Sequence, residues 1–265
     1  MSDSILAKNY NFLVSGDSIS RGIIFDEEKG KYAVLEKCYV ALVQRRLKGI
    51  VQNASRFGST LIRGICRLGK DIAKGRPDIV LIEYGGNDCD FAWNEVAAYP
   101  NMPHEPQTDL TVFEDTLTAA VASLKAQDIA PVLMTLPPLN ADSYIKWVSK
   151  QDPAVEGNIL KWLGSVTKIY WWQERYSASI VRVAEATGTR WIDIRGAFLK
   201  QPDFTALICR DGIHPNEMGH ALIAQTIVEY ISSGFAYLLA EGPVPVSTAN
   251  ERMPWVPAQS SSCLS

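Results

Sequence analysis

The chain lacks a basic surplus. Its 26 Lys and Arg face 29 Asp and Glu, a formal charge of −3, and the cations are spread along the sequence rather than gathered into a patch. Nothing there is gathered to neutralise a phosphate backbone, so nucleic acid is not an expected partner. It also lacks a long apolar run. No basic start leads into a hydrophobic stretch with a small-residue cleavage site, and the first apolar segment, Phe12 to Val14, is far too short to export or to span a bilayer. A cytoplasmic protein without a membrane span is expected. Five cysteines, Cys38, Cys66, Cys89, Cys209 and Cys263, are odd in number and form no C-x-x-C pair, which argues against a disulfide framework or a zinc knuckle. Reduced thiols are expected. Asp88 and Asp90 have no further ligand spacing around them and read as turn caps, so no metal is expected. The chain has no visible internal repeat.

What is present is a core-forming composition. Hydrophobic residues make up 47% of 265 positions, enough for one large domain over 1–240. The remainder, 241–265, carries Pro243, Pro245, Pro254 and Pro257 and a serine run, and reads as an extended tail without catalytic residues. Strand-length apolar runs occupy Asn11 to Ser15, Ile50 to Asn53, Ile79 to Tyr84, Pro131 to Leu136 and Arg190 to Ile194. Helical spacing marks Tyr32 to Lys48, Thr60 to Ala73, Val112 to Gln127, Lys168 to Thr187 and Glu217 to Tyr237. Gly188 supplies a helix stop, and Asp109 to Thr111 a helix start. Strands alternating with helices build an α/β fold: a three-layer α/β/α sandwich with a central parallel sheet of about five strands. Two connections, 88–109 and 137–167, are longer than the sheet needs. Both follow strand C-termini, the edge where open α/β sheets bind ligands, so they are placed to wall a site.

Chemistry is carried by short pieces. The first strand runs into Gly16-Asp17-Ser18-Ile19, a strand-to-helix turn that exposes the Ser18 hydroxyl and sets its amide at a helix N-terminus favourable to negative charge. Ser and Asp at such turns are usually caps, so the turn alone is weak. Near the other end, Asp211-Gly212-Ile213-His214 precedes the last helix. An Asp three residues before a His can hold the imidazole Nδ1–H and leave Nε2 free to take a proton, which is what a serine nucleophile needs. Donors for a developing oxyanion occur after the second strand, at Gly58 of Asn53-Ala54-Ser55-Arg56-Phe57-Gly58, and after the third, at Asn87 of Gly85-Gly86-Asn87-Asp88. Glycine and asparagine in such turns more often serve the turn alone.

Taken together and in order, the four pieces resemble the GDSL or SGNH hydrolase family, whose blocks centre on Ser, Gly, Asn and His. The resemblance runs from Gly16 to Pro215. It implies Ser18 as nucleophile, His214 as base and Asp211 as its orienter, with an oxyanion hole from the Ser18 amide, the Gly58 amide and the Asn87 side chain. Ile19 stands where the family usually has Leu. The resemblance further implies the flavodoxin-like SGNH fold, cleavage of small carboxylic esters through an acyl-enzyme, and no cofactor.

Specificity is less legible. Trp93, Trp147, Trp162, Trp171 and Trp172, with Tyr144 and Tyr170, fall in or beside the long connections, where they line an acyl pocket, stack on a sugar or form a satellite core. A lid over Ser18 is expected from 143–176. His104 reads as a loop residue, and His220 falls on the opposite flank of the last helix from His214. A carbohydrate O-acetyl esterase or a thioesterase would use the same triad. A flavodoxin-like phosphate or nucleotide-binding module would instead use the Ser18 turn to hold a phosphate, but gives no reason for Asp211 and His214.

Overall fold

The computed structural model of the chain describes residues 9–240. The expected tail, 241–265, therefore lies outside the described residues, as does Cys263. In chain order the elements are β1 (Tyr10–Gly16), α1 (Ser18–Arg21), β2 (Ile23–Asp26), β3 (Lys31–Val34), α2 (Tyr39–Gln44), β4 (Gly49–Asn53), α3 (Leu61–Gly75), β5 (Ile79–Glu83), α4 (Trp93–Ala98) and α5 (Leu110–Lys125). They continue as β6 (Ala130–Met134), α6 (Ala141–Val148), α7 (Pro153–Leu163), α8 (Thr167–Thr187), β7 (Arg190–Ile192), α9 (Ile194–Leu199) and α10 (Glu217–Gly234).

Five strands form one parallel sheet in the order β4-β1-β5-β6-β7, the α/β/α architecture expected. Numbered among themselves these strands run 2-1-3-4-5, the flavodoxin-like order, in which the chain reverses direction across the sheet between the first and third strands. That reversal opens a crevice at the C-terminal ends of β1 and β5. Ser18 follows one and Asn87 the other.

Side-chain alternation along a strand separates two cores. Phe12 and Val14 face a cluster with α2, α9 and α10, while Leu13 faces one with α3, α5 and α8. A third cluster, built from Phe91, Trp93, Val96, Ile145, Ile159, Leu163 and Ile169, joins α4, α6, α7 and the start of α8 above the sheet edge.

Several elements depart from expectation. The helix expected over Tyr32 to Lys48 is only α2, because Tyr32 pairs with Phe25 and Val34 with Ile23 in the antiparallel hairpin β2–β3. Tyr32, Leu35 and Tyr39 happen to fall at helical spacing, but the residues around Tyr32 also alternate and are claimed by the hairpin. The connections 88–109 and 137–167 contain α4, α6 and α7 rather than loops. Asp152 caps α7 through the Ala154 and Val155 amides, with Pro153 in its first turn where no intrahelical N–H is needed. Gly188 ends α8 in the left-handed region and Asp109 caps α5, both as expected.

Candidate active site

At the end of β1 the chain turns sharply. Gly16 is required there: a Cβ would stand 2.5 Å from Ser20 Oγ and 2.9 Å from Glu83 Oε2. Asp17 caps α1, its Oδ1 accepting from the Ile19 amide at 2.9 Å, and Ser18 is the first residue of that helix. The Ser18 N–H is consequently one of the orphan donors of a helix start.

The second half of the site comes from the segment before α10. Cys209 N–H donates to the His214 carbonyl at 2.7 Å and Asn216 N–H to the Leu207 carbonyl at 2.9 Å, closing a tight loop over 207–216. Gly212 sits at its tip with φ +82, and a Cβ there would meet backbone atoms of Asn140 and Tyr144 within 2.6 Å. Inside the loop Asp211 Oδ1 accepts from the Ile213 and His214 amides at 3.0 and 3.1 Å, which fixes the carboxylate. Its other oxygen faces His214 Nδ1 at 2.6 Å, and His214 Nε2 stands 2.9 Å from Ser18 Oγ. The expected Ser18, His214 and Asp211 are thus joined in one hydrogen-bonded line, at 7%, 3% and 0% exposure. Burial on its own would raise the Asp211 carboxyl, but the His214 hydrogen bond and charge, with the two amides, hold it below its usual value.

Asn87 is anchored on the same floor. Its Nδ2 donates to Asp17 Oδ2 at 3.1 Å and to the Ser59 carbonyl at 3.3 Å, which brings the β4–α3 turn against the β5–α4 turn. Gly58 lies one residue before Ser59, half-buried, with φ +68; it does not line the cavity beside Ser18 that Asn87 lines. Asp88 caps α3, both of its oxygens accepting from the Leu61 amide at 3.0 Å. Burial pushes its carboxyl up to about 6.

Beneath the turn lies a cluster that the sequence reading passed over. Glu83, wholly buried, accepts from Ser20 Oγ at 2.6 Å and from the Ser20 and Asp17 amides at 3.3 and 3.4 Å. Ser20 Oγ also meets Tyr39 Oη at 2.5 Å. Burial pushes both Asp17 and Glu83 above the ordinary carboxylate range, and the neighbouring Asp17 charge lifts Glu83 further. One signal was available: a glutamate ending an otherwise apolar strand. His220 serves the fold, its Nδ1 accepting from the Tyr39 amide at 3.3 Å while its ring stacks on Tyr39. His104 reaches the Tyr99 carbonyl from an exposed loop.

Two surfaces flank Ser18. On one side a cavity of about 60 Å³ is lined by Ser18, Asn87 and His214 and then by Asp90, Phe91, Trp93, Tyr144 and Trp172. On the other, Tyr32 lies edge-on to the His214 ring at 5.2 Å and Phe57 stacks on it at 6.2 Å, with Trp147 against Tyr32. Phe57 is 56% exposed. Of the expected tryptophans, Trp93 and Trp172 wall the cavity, Trp162 packs in the third core, Trp147 joins the aromatic surface and Trp171 faces solvent. Among the described residues no group of three or more His, Cys, Asp or Glu is placed to hold a metal ion, and no helix is long and apolar enough to cross a membrane.

Known proteins share this fold and the family's sequence pattern. Esterase TesA of Pseudomonas aeruginosa is 42% identical over 81 residues, 29% of this chain and 36% of the esterase; the match thus spans little more than a third of that relative. The lipase/acylhydrolase of Enterococcus faecalis superposes with a TM-score of 0.61 at 20% identity, over 88% of this chain and 98% of that one. An acetylxylan esterase of Geobacillus stearothermophilus gives 0.59 at 25% identity, over 89% and 99%. The model of the GDSL-like lipase/acylhydrolase family matches residues 14–222, from the end of β1 into α10. The chain belongs to the GDSL-like lipase/acylhydrolase family.

Proposed function

We propose that the protein is a serine esterase that cleaves small carboxylic esters through an acyl-enzyme on Ser18. The observation that carries this reading is the unbroken line from Asp211 through His214 to Ser18, 2.6 and 2.9 Å long. His214 takes the Ser18 proton as Oγ attacks the ester carbonyl, and Asp211 stabilises the imidazolium and fixes its tautomer. The tetrahedral oxyanion is held by the Ser18 amide, the Asn87 side chain and the Gly58 amide. Both Asn87 Nδ2 hydrogens face Asp17 Oδ2 and the Ser59 carbonyl at 3.1 and 3.3 Å, so in this reading one of these contacts gives way when the oxyanion forms. His214 returns the proton to the leaving alcohol, then activates a water that frees the acid from Ser18.

The small cavity on the Asn87 side suits a short acyl group. The leaving alcohol must meet His214, so it lies towards Tyr32 and Phe57, open to solvent. That exposed aromatic surface favours a second, narrower reading, a carbohydrate O-acetyl esterase whose sugar stacks there. A phosphate-binding module is disfavoured by Asp17 and Glu83, two buried carboxylates directly under the turn that would have to cradle the anion. Residues 9–240 are proposed to form a single hydrolase domain, in a cytoplasmic protein with its thiols reduced.

The test is p-nitrophenyl acetate hydrolysis. Ser18→Ala and His214→Ala each abolish turnover with the circular dichroism spectrum unchanged, Asp211→Asn lowers kcat by about 10⁴, and Asn87→Ala lowers it by about 10²–10³. Full activity in Ser18→Ala overturns the mechanism. Acetylated xylooligosaccharides turned over no faster than ethyl acetate overturn the carbohydrate reading alone.

A further inference from the structure

The cavity beside Ser18 has its polar groups at the reacting end, Asp17, Asn87 and His214, with Gln173 in the wall and Asp90 set among aromatic side chains. Asp90 lies among Phe91, Trp93, Tyr144 and Trp172, in a space too small for a long acyl chain. Its Oδ1 already receives Trp93 Nε1 and Tyr144 Oη, both at 2.7 Å, and Trp93 Nε1 also touches Tyr144 Oη at 3.1 Å. The remaining donor near the carboxyl is the Phe91 amide. No cation pairs with Asp90 among the described residues. Asp90 is half-buried, a carboxylate accepts about four hydrogen bonds, and both side-chain donors go to Oδ1, so the second oxygen is open to a donor that enters the cavity. A cavity built only for a methyl or ethyl group would gain nothing from a carboxylate in its wall.

Resting on the esterase reading, we infer that Asp90 selects substrates whose short acyl group ends in a hydrogen-bond donor, making the preferred esters those of small hydroxy or amino acids. The direction follows from the attachment to Ser18. The group that stays on Oγ is the one in this cavity, and its carbonyl oxygen points to Asn87, so its far end runs towards Asp90, Trp93 and Tyr144. A hydroxyl or an ammonium there supplies the donor that the carboxylate lacks. The aromatic walls tolerate either, the ammonium through the faces of the tryptophan rings. Trp93 and Tyr144 hold Oδ1 fixed, so the carboxylate is oriented before substrate arrives. Burial also raises the Asp90 carboxyl above its usual value, in keeping with an acceptor short of donors. A site that hydrogen-bonds a substrate donor discriminates against an analogue that offers only a methyl group there.

Matched ethyl esters test this with the full-length chain: propionate against glycolate and glycinate, and butyrate against 3-hydroxypropionate and β-alaninate, with acid release followed by pH-stat. In the wild type, kcat/KM for at least one donor-bearing ester exceeds that of its apolar match by about tenfold or more. The hydroxyl and ammonium arms show which donor is preferred. Asp90→Asn keeps an oxygen for Trp93 and Tyr144 but puts an amide donor in place of the second oxygen, and the preference ratio falls to about one or below. The ratio, not the absolute rate, is the readout. A wild-type ratio near one in both arms overturns the inference whether or not the variant folds, and so does a ratio unchanged in Asp90→Asn. Both leave the esterase reading standing, provided that ethyl propionate is hydrolysed and Ser18→Ala stops it. Failure to hydrolyse any of the esters counts against the esterase reading itself.

Discussion

At the scale of single residues, the nucleophile turn is built on a carboxyl pair rather than on the serine alone. Asp17 and Glu83 are both buried, with no Lys or Arg paired to either among the described residues, and two ionised carboxylates in such a place repel strongly. Burial and the neighbouring Asp17 charge favour the protonated form of Glu83, and the pair is expected to carry one charge. The groups around it are Ser20, Tyr39, Tyr84 and Asn87, with His214 beyond Asp17 and His220 beyond Tyr39. Glu83 is raised well above its usual value in the fold, so between the unfolded value near 4.5 and the folded one the native state binds the extra proton. Its contribution to stability is full below about 4.5 and declines as pH rises through that window. His220, pushed down to about 4 by burial, works the other way and only below about 6.5, since there the unfolded state holds the extra proton. Alkaline pH isolates Glu83. Glu83→Gln, a permanently neutral donor of the same shape, is expected to raise Tm at pH 9 by more than about 2 °C, the shift that ~1 kcal/mol gives a domain of this size. At pH 5 the two proteins melt closer together. Equal differences at both pH values would mean that Glu83 is ionised in the native protein.

At the scale of elements, the oxyanion side of the site depends on a cap supplied from another segment. Asp88, in the turn after β5, caps α3 through the Leu61 amide while its neighbour Asn87 is tied to Asp17 and Ser59. Asp88→Ala leaves a buried amide unpaired, a loss of about 1–3 kcal/mol, measured by urea unfolding. It also frees the turn that positions Asn87, so kcat falls while KM changes less. A purely structural cap would lower stability and leave kcat alone. This coupling of a cap to a donor was only half legible beforehand. The sequence marked Asp88 as a cap and Asn87 as a donor, each from its own turn, but not that α3 is the helix capped, because that pairing depends on how the strands are ordered. The sheet strands were legible because each is an apolar run ending near Gly, Asn, Ser or Pro, whereas Ser18 and the Asp211–His214 pair were each weak alone and gained weight only from standing together along the chain. Glu83, Tyr32 and Phe57 were not legible, since their partners lie tens of residues away. The stretch from Tyr32 to Tyr39 was misread for a related reason. Its apolar positions fit a helix as well as a strand, and the partner strand Ile23–Asp26 decides between them.

At the scale of the whole molecule, the three apolar clusters share the elements that hold the site. Leu13 and Phe12 are neighbours on β1 yet belong to cores on opposite faces, as do Leu133 and Met134 on β6. Trp172 packs against both the second core and the third, while lining the cavity beside Ser18. The third cluster roofs that cavity with Phe91, Trp93 and Tyr144, so a lid that opened freely would have to break an apolar core. A single cooperative unit is therefore the proposal for residues 9–240, and the 143–176 region is a packed roof rather than an independent flap. Ile159→Ala, at a fully buried position on α7, is expected to cost about 2–4 kcal/mol. The decisive comparison is between probes. In urea, loss of esterase activity and loss of helical signal coincide in the wild type and shift together in the variant, as two-state unfolding requires. If the roof were separable, activity would disappear at lower urea than the helical signal, and Ile159→Ala would widen that gap while leaving the second transition in place. The same measurement on a chain ending at Ala240 tests where the unit stops, with midpoint and kcat/KM expected to match the full-length protein within about twofold in rate, because every group placed at the site lies before residue 215.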